Sequence, residues 1–135
     1  MEKDKYIEAI TKVRDKGYKI TPQRLEIIRT LVKGKLLHPT LDEILSLVRK
    51  KVETVSFSTL YSTVLLLKEL GIVEVFEFGG KIRVETRTTP HINIIKASTG
   101  EVVDLHDDEL IKEIMDRLKS HGISAERMLI NVIVY

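Results

Sequence analysis

The 135-residue sequence has no cysteine, no tryptophan and only three prolines. Without cysteine there is no disulfide framework, no thiolate zinc site, no iron–sulfur cluster and no cysteine nucleophile. The longest stretch free of charge, residues 54–67, is 14 residues long, too short to cross a bilayer as a helix. The start, Met1-Glu-Lys-Asp-Lys, is charged and does not read as a signal peptide. These absences lead to the expectation of a cytoplasmic protein with no membrane partner. Apolar material is nonetheless plentiful: 16 Ile, 16 Leu and 13 Val suffice for a real core and exclude intrinsic disorder.

The net charge of +2 conceals an asymmetry. Residues 1–87 carry 17 Lys+Arg against 12 Asp+Glu, whereas residues 88–135 carry 5 against 8. A basic front and an acidic rear imply different partners, and a polyanion suits the front.

Four amphipathic helices are expected first. Residues 4–16 place Ile7, Ile10 and Val13 at helical spacing before Gly17. Thr21-Pro22 supplies an N-cap and a proline at the first helical position, with Leu25, Ile28, Leu31 and Val32 on one face. Thr40-x-x-Glu43 is a capping box ahead of Leu41, Ile44, Leu45 and Val48. A fourth helix opens near Ser56, is expected to bury Phe57, Leu60, Val64 and Leu67, and ends at Gly71. The period then changes: residues 72–78, Gly79-Gly80 and residues 81–86 read as a β-hairpin with a primed turn. Helices followed by a hairpin are the order of a winged helix-turn-helix, which sets one helix in the DNA major groove.

The rear contains a second hairpin around Ser98-Thr99-Gly100. A helix follows, capped by Asp107 or Asp108 and carrying Leu110, Ile111, Ile114, Met115 and Leu118, and then a last strand over residues 128–135. The expected fold class is α+β: a winged helix-turn-helix over residues 1–87, then a small α/β dimerization domain over residues 88–135. About 48 residues make a meagre independent core, so a homodimer is expected.

The fourth helix would present Ser58, Thr59, Tyr61, Ser62 and Thr63 outward, offering hydroxyls to phosphates and base edges. Such a row also suits a merely solvated face. Lys19, just before the second helix, and Arg24, in its first turn, are candidate phosphate contacts. Among the four histidines, His38 and His91 lie beside prolines. Glu85, Asp104 and the amide of Asn93 are the oxygen donors that would complete a site for a divalent Fe, Mn or Zn ion. His106 and His121 are accounted for by their positions at a helix start and a helix end.

Tyr18-Lys-Ile-Thr-Pro-Gln-Arg24, His38-Pro-Thr, Ser56-x-x-Thr-x-Tyr61 and Leu67-x-x-x-Gly71-Ile-Val73 resemble the ferric uptake regulator family of metal-dependent repressors over nearly the whole chain. The resemblance implies a dimeric DNA-binding repressor controlled by one divalent metal per subunit between the two domains. By position, its ligands would be His38, Glu85, His91, Asn93 and Asp104. Two departures qualify the likeness. Lys96-Ala-Ser-Thr99 stands where the family has Cys-x-x-Cys, so no structural cysteine-type zinc is expected. The family's His-x-His is His91-x-Asn93, one nitrogen donor fewer. The expected function is therefore a sequence-specific transcriptional regulator of double-stranded DNA and not an enzyme, since no nucleophile–base pair or phosphate loop is evident. The rivals are a metal-independent regulator with a degenerate sensor and a winged-helix protein-interaction module.

Overall fold

The computed structural model describes residues 4–86 and 89–135. The chain divides into two compact units, Met1–Thr88 and Thr89–Tyr135; the expected boundary, between residues 87 and 88, falls on residues outside those described. The architecture is mixed α+β, with five helices and two small sheets among the described residues.

The first unit holds α1 (Lys5–Asp15), α2 (Pro22–Lys33), α3 (Leu41–Arg49), α4 (Phe57–Glu69), β1 (Glu74–Phe78) and β2 (Lys81–Glu85). Each helix begins where a side-chain oxygen meets the unsatisfied amides of its first turn: Asp4 for α1, Thr21 for α2, Thr40 for α3 and Ser56 for α4. Both halves of the Thr40–Glu43 capping box are formed. Helix α4 ends in a reciprocal pair of bonds, with Ile72 N donating to Leu67 O at 2.9 Å and Gly71 N to Lys68 O at 3.0 Å. That closure requires the positive φ of Gly71, 74°. The β1–β2 hairpin turns through Gly79 and Gly80, φ 61° and 77°, the pair of left-handed conformations a two-residue primed turn needs.

Three expected positions are corrected. Ile7 is 60% exposed, and Ala9 and Val13 form the buried stripe of α1. Phe57 is 46% exposed, because residue 57 opens the helix and stacks its ring on Tyr61, centroids 6.1 Å apart, instead of entering the core. Thr63, expected outward, is buried; its hydroxyl donates to Thr59 O at 2.7 Å, which removes the cost of enclosing it. The core itself is deep: Ile27, Ile28, Leu31, Ile44, Val48, Leu60, Val64 and Leu67 are sealed from solvent, joined by Val73 and Val84 of the hairpin region. Each such side chain stabilises the unit by about 1.5–3 kcal/mol.

The second unit holds β3 (Ile92–Lys96), β4 (Val102–Leu105), α5 (Asp108–Ser120) and β5 (Ile130–Val134). Asp107 is the N-cap of α5, its carboxylate accepting from Leu110 N at 3.0 Å. The sheet order is β4-β3-β5, β4 antiparallel and β5 parallel to β3. Only Ile92, Ile95 and Ile111 are buried apolar residues here, whereas Leu110 and Met115, expected on the packed side of the helix, are more than one-third exposed.

Candidate metal and nucleic-acid sites

Residues 38–40 form a short strip against the wing. Val84 N donates to Pro39 O at 2.9 Å, Thr40 bridges Arg83, and the Arg83 guanidinium donates to His38 O at 2.8 Å. These contacts hold His38 at φ 49°, the one positive value among described non-glycine residues, a conformation that an L-residue adopts only when its surroundings impose it. Its imidazole is buried with the Glu85 carboxylate, Nε2 to Oε2 2.9 Å, and meets the Phe76 ring edge-on at 6.1 Å. Burying a carboxylate costs far more than burying an apolar group unless a positive charge or hydrogen bonds compensate.

In the second unit, His91 immediately precedes β3. Its Nδ1 lies 2.7 Å from Thr89 O. A carbonyl can only accept, so Nδ1 carries the hydrogen and Nε2 bears the lone pair when the ring is neutral. Nε2 faces Asp104 Oδ1 at 3.8 Å. Two ligands at about 2.1 Å from a first-row metal stand roughly 3–3.5 Å apart, so both the 2.9 Å and the 3.8 Å pairs lie close to a coordination edge. The Thr89 bond is the kind that orients a metal-binding imidazole from behind.

Asn93 is fully buried, and the register sets it opposite Asp104 on β4 and Asn131 on β5. Its Nδ2 donates to Asn131 Oδ1 at 3.0 Å. A neutral amide nitrogen has no lone pair to give a metal, so any ligation by Asn93 would come from Oδ1. His38, Glu85, His91 and Asp104 are the histidine and carboxylate donors suited to an ion among the described residues, and iron, manganese and zinc all accept such a nitrogen and oxygen set.

On α4, Ser58, Tyr61 and Ser62 are exposed and Thr59 is half-buried. The Ser56 hydroxyl lies 3.2 Å from that of Ser58 and 3.0 Å from that of Thr59, while Ser62 donates to Thr59 O at 3.1 Å. The hydroxyls are therefore ordered at a helix N-terminus, where the macrodipole favours an anion. Arg24 donates to Lys19 O at 2.9 Å and lies over the Tyr18 ring at 5.5 Å, which ties exposed Lys19 to the start of α2.

Residues 15–133 match the model of the ferric uptake regulator family. The chain belongs to this family. It is 42% identical over 110 residues to a ferric uptake regulation protein homolog of Archaeoglobus fulgidus, spanning 82% of this chain and 84% of that protein. It is 32% identical over 124 residues to the peroxide-responsive repressor PerR of Staphylococcus epidermidis, spanning 90% and 82%. In fold it is similar to the ferric uptake regulator from Pseudomonas aeruginosa with manganese, with a TM-score of 0.79 at 22% identity over 93% of this chain and 96% of that one. The ferric uptake regulator family comprises metal-responsive transcriptional regulators, not enzymes, and this member has a His/Glu/His/Asp donor set without any cysteine. No helix of the described residues is long and apolar enough to cross a membrane.

Four contributors escaped the sequence reading. Arg83, Thr89 and Asn131 act through contacts that no local spacing announces; only the break that Asn131 makes in the apolar run of the last strand marked one of them. Phe57 was masked by its fit to the apolar period of α4.

Proposed function

We propose that this chain is a homodimeric DNA-binding repressor whose affinity for its operator is raised by one divalent ion, iron, manganese or zinc, held jointly by His38, Glu85, His91 and Asp104. The observation that carries this reading is the presence of two buried or half-buried imidazole–carboxylate pairs, one per unit, at 2.9 and 3.8 Å. When bound, the ion supplies positive charge that offsets two enclosed carboxylates. His91 offers Nε2 as ligand because Thr89 holds its other nitrogen, and His38 offers Nε2 in exchange for its bond to Glu85. Asn93 adds its amide oxygen as the fifth and weakest donor.

An ion that binds one arrangement of the two units better than others shifts the population toward it, and by linkage DNA that prefers the same arrangement tightens metal binding by the same factor. DNA contact falls to Ser58, Thr59, Tyr61 and Ser62 of α4, with Lys19 and Arg24 on phosphates. The exposed apolar face of the second unit supports the dimer, and the absence of a membrane-length helix fits a cytoplasmic setting.

Elemental analysis of protein purified without chelator, paired with an operator-selection binding assay, tests the proposal. One ion per chain, and DNA binding that a chelator abolishes and manganese or iron restores, is the expected result. DNA affinity indifferent to every divalent ion would remove the metal from the mechanism. One observation favours that second reading, a metal-independent regulator: Asn93, standing at the family's second histidine, supplies at most an amide oxygen, a weaker donor than the imidazole it replaces. A salt-insensitive or absent DNA interaction would instead favour a protein-binding module.

A further inference from the structure

The N-terminal unit contains a cleft of about 510 Å³ beside α1, within the size range of small-molecule sites. Its floor is apolar, built from Ala9 and Val73, both buried, with Val32, Leu36 and Ile72. Its rim is cationic: Lys5, Lys12 and Lys35 stand around it, and Glu8 is the one carboxylate among the described lining residues. Lys12 already pairs with Glu8 at 3.3 Å across one helical turn, whereas Lys5 and Lys35 enter no ion pair among the described residues. Among the described residues the rim therefore retains two uncompensated positive charges above a hydrocarbon floor. Leu37, another lining residue, is 63% exposed, an apolar side chain at the mouth with nothing over it among the described residues.

We propose that this cleft binds an amphipathic organic anion, a carboxylate carrying a hydrocarbon chain, with its head between Lys5 and Lys35 and its tail over Val73 and Ile72 beneath Leu37. A wholly polar anion would leave the floor wet, and a neutral apolar molecule would leave the lysines without a partner, so the lining selects for both properties in one ligand. Nothing in this assignment depends on a metal. The lining nevertheless includes Leu37, next in sequence to His38, and Thr86, next to Glu85. An occupant thus touches the chain one residue away from both members of the buried pair, which makes it a candidate second signal for the regulator.

The test is calorimetric titration of the full chain, stripped of metal, with decanoate below its micellar concentration. Saturable binding tighter than about 1 mM is expected, weakened about tenfold in a Lys5→Glu/Lys35→Glu variant, the scale of one charge-assisted hydrogen bond. Butyrate, which shares the head but lacks the tail, and decyltrimethylammonium, which shares the tail but reverses the charge, are each expected to bind at least about tenfold more weakly. Amide and imidazole NMR shifts at Leu37, His38 and Thr86 report occupancy in the same metal-free sample. Absence of saturable heat, equal binding by the double variant, or equal binding of either control ligand overturns the assignment. Both lysines are exposed, so the variant's thermal melt separates loss of the site from loss of the fold.

Discussion

The two units differ in how they dispose of their apolar side chains. The first encloses its own, with Ile27, Ile28, Leu31, Ile44, Leu60 and Leu67 fully sealed. The second leaves Val103, Leu105, Leu110, Met115, Leu129, Val132, Ile133 and Val134 about two-fifths exposed, and buries the polar His91 and Asn93. One unit is stabilised by its own packing, the other presents a surface that a second copy would complete. Polar residues are admitted to the interior mainly where the candidate ligands are: His38, Glu85, His91 and Asn93 all have less than one-tenth of their surface exposed.

The largest effect that would sharpen this contrast is in the first unit. Leu31→Ala removes a sealed side chain and is expected to cost about 3 kcal/mol, read as a lower denaturant midpoint. Val132→Asp on β5 is expected to leave the melting signals of the first unit in the full chain unchanged while weakening self-association by about 100-fold in sedimentation, near 2.7 kcal/mol. A monomer–dimer balance unmoved by Val132→Asp would break the comparison. His91→Ala is expected to lower metal affinity by about 100-fold, and Asn131→Ala, which leaves every donor atom in place, by about tenfold or less; equal losses would mean that the sheet, not the imidazole, holds the ion. The smallest effect is local: Thr40→Ala removes half of the α3 capping box and is expected to cost about 1 kcal/mol in thermal melts.

What could be read from the sequence was whatever neighbours in sequence decide. The Thr40–Glu43 box, the four apolar positions of α3 and the Gly79–Gly80 turn are local bargains between a side chain and its own backbone, and the structure forms them as expected. Phe57 and Thr63 were misplaced because periodicity assigns a face but not its depth, and residue 57 lies at the helix start where the face no longer meets the core. The parallel pairing of β5 with β3 joins Asn93 to Asn131, 38 residues apart, and no spacing rule foretells which strand a terminal segment will join. Of the candidate ligands, the histidines and carboxylates were nominated by residue type and by resemblance. That His38 takes a left-handed backbone and that Thr89 fixes the His91 tautomer belong to the folded chain alone.

The strip at residues 38–40 has a mechanical consequence. Because Pro39 and Thr40 pair with Val84 and Arg83, and Arg83 also clasps the carbonyl of His38, a displacement of the His38 backbone would load β2, which is laddered along its whole length to β1. Through that ladder the load would reach the turn at Gly79–Gly80, so the backbone of a candidate ligand and the tip of the wing share one run of hydrogen bonds.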